Sequence, residues 1–191
     1  MFLTKTNEEL FIQILDIANN FRKENENYLM AYSYFLDYFK DLDVITLDHI
    51  VIGISFTYSW MPTILNMDLS DPENLVRIFN KAKVGESITA QEFLVLKKAF
   101  NNSLVGTSKL LHFINPEKYA IWDSRVFNFL TGRKPHDSRF QKPETYIAYL
   151  SLLETLKNEK NFGEFYSLII QKVGYEISEY RALELAFFKG G

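Results

Sequence analysis

The sequence contains no cysteine, and this absence excludes several kinds of site. A chain without thiols forms no disulfide bond, no thiolate zinc site and no cysteine-ligated iron–sulfur cluster. Its three histidines, His49, His112 and His136, lie far apart in the sequence and show no metal-binding spacing. No dinucleotide-binding fingerprint, phosphate-binding loop or serine–histidine–aspartate order is present either. We therefore expect neither a metal nor an organic cofactor.

Glycine and proline are scarce, with 8 and 5 residues in a chain of 191. This composition argues against a disordered chain and against a turn-rich all-β fold. The alternation of apolar and polar residues that marks a strand is weak throughout, and residues 43–54 form the one stretch rich in β-branched side chains. In contrast, 17 phenylalanines and 11 tyrosines supply a large apolar core. We therefore predict an all-α, multi-helix globular domain.

The sequence has no apolar run of the length that crosses a membrane, which is about 20 residues. The longest stretch without a charged side chain, residues 50–67, contains serine, threonine, asparagine and proline and is interpreted as a buried core helix. The first ten residues carry acids and lack the apolar run of a signal peptide. We expect a soluble, cytoplasmic protein with no membrane partner.

Helical periodicity and capping patterns predict about ten helices. The first two follow Thr6 and Asn27, and the others cover residues 45–58, 72–82, 90–100, 104–114, 124–130, 143–156, 162–173 and 178–188. Capping boxes, in which a side-chain oxygen and a following carboxylate satisfy free backbone N–H groups, are predicted for three pairs, with a weaker fourth. These pairs are Thr6 with Glu9, Ser70 with Glu73, Thr89 with Glu92, and Asn161 with Glu164.

The chain has the length of one domain or of two small lobes that share an interface. No internal repeat, low-complexity tract or long linker divides it. We predict a single all-α domain over residues 1–191, in which residues 1–88 and residues 89–191 would form the two lobes.

The net charge of −3 gives the chain no general attraction for nucleic acid, but its charges are unevenly distributed. Residues 1–50 hold nine acids against four bases, whereas residues 118–142 hold six bases against two acids. Among these bases, Arg133, Lys134, Arg139 and Lys142 lie close together in the sequence. They either form a solvated turn or contact DNA phosphates, because Arg and Lys supply affinity without sequence preference.

One acid, Asp123, stands out within the basic region. It ends the stretch KYAIWD, which follows a break in helical pattern at Asn115-Pro116, and it comes directly before another helix. An aspartate in this position is typical of a helix N-cap. Alternatively, Ile121 and Trp122 would desolvate the acid while Lys109 and Arg125 hold it ionised, as in a catalytic site.

The segment VGTSKLLHFINPEKYAIWDSRVFNFL, within about residues 101–130, resembles the helix-hairpin-helix DNA glycosylases, most closely the archaeal 8-oxoguanine glycosylase type. The residues that carry the resemblance are Ser108, Leu111, Ala120, Ile121, Asp123 and Val126. The resemblance implies a helical fold with two small lobes around a cleft. It also implies that Asp123 is the catalytic carboxylate. Its negative charge would stabilise the oxocarbenium-like sugar as the N-glycosidic bond to a flipped base breaks, or would activate the attacking nucleophile.

Two features of the family pattern are replaced in this chain. Where the family has a Gly-x-Gly hairpin that directs backbone N–H groups at a phosphate, residues 102–106 read NSLVG, so that Gly106 is the one glycine left. Where members with lyase activity carry a Schiff-base lysine, this chain has Val105, and Lys109 lies one helical turn further on. The resemblance therefore implies a monofunctional glycosylase that uses water as its nucleophile.

Two tryptophans complete the set of candidate ligand contacts. Trp60 closes the most apolar predicted helix, where it would line a pocket for a flipped base or simply mark the end of a core helix. Trp122 would contact the same ligand from beside Asp123.

We thus expect a DNA-binding protein that resembles a monofunctional base-excision glycosylase. Asp123 would be catalytic, and Lys109 and Arg125 would support it or contact phosphates. The alternative is a catalytically inert all-α protein that binds a protein or a nucleic acid and in which Asp123 only caps its helix.

Overall fold

The computed structural model describes residues 5–20, 27–61, 63–136 and 138–191. Within these ranges the chain forms ten helices and no strand, so the all-α prediction is confirmed. The helices are α1 (Asn7–Asn20), α2 (Asn27–Lys40), α3 (Leu47–Ser59), α4 (Pro72–Lys83), α5 (Ala90–Ala99), α6 (Leu104–Ile114), α7 (Ser124–Thr131), α8 (Pro143–Lys157), α9 (Phe162–Val173) and α10 (Glu179–Gly190). Asp137, within the predicted basic segment, lies outside the described residues.

Two of the predicted capping boxes are present. The Glu9 carboxylate accepts a hydrogen bond from the Thr6 amide at 2.8 Å, and the Thr6 hydroxyl accepts one from the Glu9 amide at 3.2 Å. The pair Thr89 and Glu92 forms the same reciprocal arrangement at the start of α5. These two pairs satisfy N–H groups that the first helical turn leaves without backbone partners.

The predicted box between Ser70 and Glu73 is wrong. Pro72 occupies the first turn of α4, and the N-cap is therefore Asp71, one residue later than the pattern predicted. The amide of Ser70 instead donates to the carboxylate of Asp68 at 2.9 Å. At α9, Asn161 is the N-cap as predicted, but its side chain makes no capping hydrogen bond.

The chain forms two compact units whose boundaries differ from the predicted lobes. Unit 1 consists of Met1–Glu24 and Ala120–Gly191, and unit 2 is the continuous segment Asn25–Tyr119. The predicted division into residues 1–88 and 89–191 followed chain order. The observed units depart from it because α1 packs against α9 and α10, while α5 and α6 pack against α4.

Unit 1 is built around α10. This helix packs against α1, α7, α8 and α9, and its residues 180–187 are all buried. The buried side chains of α10 include the small Ala182 and Ala186 as well as the large Leu183 and Phe187. A helix that is buried on all sides in this way is typical of one that is packed between several neighbours.

Unit 2 is built around α6 in the same way. This helix packs against α2, α3, α4 and α5. Its small residues permit close approach: a side chain at Gly106 would lie 2.6 Å from the Phe100 ring. On the facing helix α3, a side chain at Gly53 would lie 2.7 Å from Leu110. Residues 47–54 of the β-branched stretch thus lie in a helix, because tertiary packing outweighs their intrinsic preference.

No helix in the described parts of the chain is long and apolar enough to cross a bilayer. The uncharged stretch of residues 50–67 is helical as far as Ser59, the last residue of α3.

Candidate functional site

Asp123 is the N-cap of α7. Its backbone is extended, with φ −136° and ψ −178°, and its Oδ1 accepts a hydrogen bond from the Val126 amide at 2.9 Å. The capping role predicted for this residue is therefore confirmed. The side chain is half-buried.

The residues just before Asp123 are held by buried aromatic side chains of unit 1. Tyr146 donates from its hydroxyl to the Ala120 carbonyl at 2.9 Å, and Tyr149 donates to the Ile121 carbonyl at 3.3 Å. Both tyrosines are fully buried and stand on α8. The segment lacks helical or sheet pairing, so these side chains satisfy carbonyl groups that would otherwise be buried without partners.

Trp122 is completely buried, with 0% of its surface exposed. Its indole N–H donates to the Phe140 carbonyl at 2.9 Å, and its ring packs against Phe127 and Tyr149. This placement corrects the prediction that Trp122 contacts DNA, because no part of the ring is accessible to a ligand. Its role is to anchor the segment beside Asp123 in the core of unit 1.

A buried ion pair lies near the same segment. Arg181 and Glu184 pair with each other on α10 although both side chains are almost fully enclosed. Burial, together with the negative charges of Glu184 and Asp123, raises the pKa of the Tyr149 hydroxyl, and Arg181 acts in the opposite sense. Asp123, Tyr149 and this ion pair therefore belong to one electrostatic environment.

Most of the predicted phosphate-contacting residues lie in unit 1 with Asp123 and are accessible. Arg133, Lys134 and Lys142 are exposed, and Arg139 is half-buried. Arg125 is also exposed, and its guanidinium carbon lies 4.7 Å from the centre of the Phe188 ring. Cations thus cluster in the segment between α7 and α8 and at the start of α7.

The chain matches no protein-family model, no curated protein and no solved structure. Its function must therefore be inferred from its own residues.

Lys109 and Trp60, the two remaining predicted site residues, lie together in unit 2. The Lys109 ammonium donates to the Trp60 carbonyl at 2.8 Å. The indole of Trp60 stacks on Tyr32 with 6.0 Å between ring centres and packs edge-on against Phe113. Trp60 is the C-cap of α3 and is half-buried, which agrees with the alternative that it marks the end of a core helix.

The turn between α5 and α6 contains residues of the segment 102–106, which the sequence resemblance compares with a Gly-x-Gly hairpin. Asn101 and Asn102 are both left-handed, with φ 51° and 59°, a conformation that asparagine tolerates better than most residues. The N–H groups of these two residues and of Ser103 donate to carbonyl oxygens of residues 97–100 at 2.8–3.2 Å. The Gly106 amide donates to the Ser103 hydroxyl. These four amides are engaged within the chain and do not point at a phosphate.

His112 is a core residue with both ring nitrogens bonded. Its Nδ1 lies 2.7 Å from the Tyr119 carbonyl, and its Nε2 lies 2.7 Å from the Tyr32 hydroxyl. Because a carbonyl only accepts, Nδ1 carries the proton and Tyr32 donates to Nε2 when the ring is neutral. Elsewhere among the described residues, no three His, Asp or Glu side chains come together in a group that could hold a metal ion.

Sequence reasoning missed Tyr146, Tyr149, Arg181 and Glu184. The two charged residues are three apart on a helix with mostly apolar neighbours, and this spacing indicates that their side chains can pair on one side of the helix. The tyrosines are also three apart and share one face of α8, but the carbonyl groups they reach are set by tertiary packing.

Proposed function

We propose that this protein binds DNA through the cationic surface of unit 1 and that Asp123 acts there as the carboxylate of a base-excision reaction. The observation that carries the proposal is the combination, in one unit, of a rigidly anchored acid and the exposed cations Arg125, Arg133, Lys134 and Lys142. Exposed Arg and Lys side chains attract phosphate groups even though the whole chain has a net charge of −3.

The chemistry assigned to Asp123 is charge stabilisation. As the N-glycosidic bond breaks, the base departs with the bonding electron pair and positive charge develops on the deoxyribose ring. An ionised carboxylate held near that ring stabilises this charge. Water then adds to the sugar carbon, and the base takes up a proton. Val105 stands where a lysine would form a Schiff base, so no lyase step is proposed.

The cations would supply affinity and not selectivity. Phosphate contacts by Arg and Lys release counterions and make binding depend strongly on salt, whatever the sequence of the duplex. Selection of the base would then rest on extrusion of the nucleotide from the stack, which costs least for a damaged or mismatched pair.

A second candidate function follows from the cap itself. The bond from the Val126 amide to Asp123 Oδ1 is enough to explain an aspartate at this position without any catalytic role. On that basis the chain is an inert helical binding protein, and its cationic surface binds a nucleic acid without changing it.

One experiment tests the proposal. Duplexes that carry a panel of damaged or modified bases are incubated with wild type, Asp123→Asn and Lys134→Gln, and both base release and retention on the duplex are measured. Asparagine caps a helix about as well as aspartate but carries no charge. We expect Asp123→Asn to lose about 10²–10³-fold in the rate of base release with unchanged melting temperature and DNA affinity. Lys134→Gln should lower the slope of log affinity against log salt by about 0.9.

A matched control is Lys160→Gln, which removes an exposed lysine of the same unit from the segment between α8 and α9. Its salt slope should equal that of wild type. Retention without base release from any duplex would favour the inert binding protein. Absence of any retention at low salt would overturn both parts of the proposal.

A further inference from the structure

The segment that leads into Asp123 is fixed at successive backbone positions. The Tyr146 hydroxyl binds the Ala120 carbonyl, the Tyr149 hydroxyl binds the Ile121 carbonyl, and the indole of Trp122 binds the Phe140 carbonyl. We propose that Tyr146 and Tyr149 are positioning residues that set the depth and direction of the Asp123 carboxylate. The proposal rests on the proposed function for its catalytic consequence, but the positioning itself is measurable without catalysis.

The geometry suits this role because both tyrosines stand on one rigid element. They are three residues apart on α8, so they share a face of that helix and meet two consecutive carbonyl groups of the extended chain. Two fixed carbonyls leave the backbone before Asp123 little freedom to rotate. On the other side, the bond from the Val126 amide fixes the carboxylate to α7. The acid is thus held from both directions, as a reacting group must be to within about 0.5 Å.

The Tyr149 hydroxyl also interacts electrostatically with the groups around it. These groups are Glu184 and Arg181 of α10, Tyr146 of α8, and Asp123. Burial and the acids raise the pKa of Tyr149, so the residue remains a neutral hydroxyl that donates a hydrogen bond. Tyr149 is neutral at the pH where a carboxyl group titrates, so loss of its hydroxyl changes the titration of Asp123 only if it moves the carboxylate to a site of different burial.

The test uses the substitutions Tyr146→Phe and Tyr149→Phe, which remove one hydroxyl each and keep the buried ring. Tyr166→Phe is the matched control, because the Tyr166 hydroxyl of α9 donates to the Ile177 carbonyl at 2.6 Å, a bond of the same kind in the same unit. The amide signal of Val126, bonded to Asp123 Oδ1, is followed by NMR as a function of pH and reports the ionisation of Asp123. Single-turnover base release and DNA affinity are measured on the same variants.

We expect Tyr146→Phe and Tyr149→Phe to move the midpoint of the Val126 titration and Tyr166→Phe to leave it in place. We also expect the single-turnover rate to fall by about ten- to a hundredfold with unchanged DNA affinity. Unmoved midpoints in both variants would overturn the positioning role, whether or not the wild type releases a base. Moved midpoints in a protein that releases no base would support positioning and count against the proposed function alone.

Discussion

A single carboxylate, Glu92, is bound from several sides at the start of α5. It accepts hydrogen bonds from the amide and hydroxyl of Thr89, from the Lys81 ammonium at 2.9 Å and from the Arg77 guanidinium at 3.0 Å. Burial by itself would raise the pKa of Glu92, but these hydrogen bonds outweigh it and lower the pKa from 4.5 to about 2. The ionised form is therefore stabilised by folding.

The substitution Glu92→Gln should lower the free energy of unfolding by about 1–3 kcal/mol at neutral pH, because solvent around the exposed Arg77 screens part of the charge interaction. Because the folded pKa is depressed, the advantage of wild type is complete above pH 4.5 and disappears as the pH falls through about 2. Urea unfolding followed by circular dichroism between neutral and acidic pH measures the difference. Glutamine retains the capping-box geometry, so the change isolates the charge.

The comparison for this substitution is Glu73→Gln, an exposed acid in the first turn of α4. Its effect should stay within about 0.5 kcal/mol at every pH. If the difference in unfolding free energy between wild type and Glu92→Gln did not change with pH, the charge of Glu92 would not be the source of its stabilising effect.

The sequence predicts the bond between Glu92 and its near neighbour Thr89, but it does not predict the ion pairs of Glu92 with residues of α4. Its bond with Thr89 follows from a spacing of three residues before an apolar run, and it was predicted. Its partners Arg77 and Lys81 stand on another helix, α4. Nothing in the local pattern relates them to Glu92, because their contact depends on how two helices cross. The same limit applies to Tyr149 and Ile121, which are 28 residues apart.

The helix pair α5 and α6 depends on one glycine. Gly106 lies in the first turn of α6, and a Cβ there would lie 2.6 Å from Cδ1 of Phe100 and 3.3 Å from its Cβ. Phe100 is fully buried and has no room to move away. The glycine is therefore required for close packing of the turn against the helix, a reason that differs from the phosphate contact expected of a hairpin glycine.

The substitution Gly106→Ala should destabilise the fold by about 1–3 kcal/mol through overpacking, although alanine favours helices. Gly163→Ala in the first turn of α9 is the counterpart, since nothing lies within 4 Å of its added Cβ. That change should be neutral or stabilise the protein by up to about 1 kcal/mol. Thermal unfolding of both variants measures the difference. Equal melting temperatures would contradict the conclusion that Gly106 is needed for packing against Phe100.

Helix positions were predictable from sequence, whereas details that depend on neighbours were not. Periodicity and breaks at Pro116 and Gly132 located α6 and α7 to within a residue or two. The start of α4 at Pro72 was predicted correctly, but its N-cap is Asp71 and not Ser70, because Pro72 occupies the first helical position. Trp122 was misassigned because an aromatic residue beside an acid looks the same in sequence whether its ring is buried or exposed.

The N-terminal helix belongs with the C-terminal part of the chain. In α1, Leu10, Phe11, Ile14 and Ala18 are buried, and the helix packs against α9 and α10. Neither periodicity nor charge reveals this association, because the partners lie more than 140 residues away in the sequence. A division by chain order therefore differs from the two compact units, although periodicity did predict a helix after Thr6.

Ile14→Ala and Ile12→Ala test this association with identical chemistry two residues apart. Ile14 is 0% exposed and Ile12 is 61% exposed. We expect a loss of about 2–5 kcal/mol in the free energy of unfolding for Ile14→Ala and a change within about 0.5 kcal/mol for Ile12→Ala. Amide hydrogen exchange should accelerate in α10 of the Ile14→Ala protein. Equal losses for the two variants would contradict the packing of α1 in unit 1.

The discontinuity of unit 1 has a consequence for the order of events on the ribosome. The continuous segment Asn25–Tyr119 emerges in one piece, so its helices find all their partners early. The helix α1 is translated before them but must wait until α9 and α10 have left the exit tunnel. Until then its apolar face remains uncovered, and because the contact joins segments far apart in the sequence, we expect the association of α1 to come late in folding.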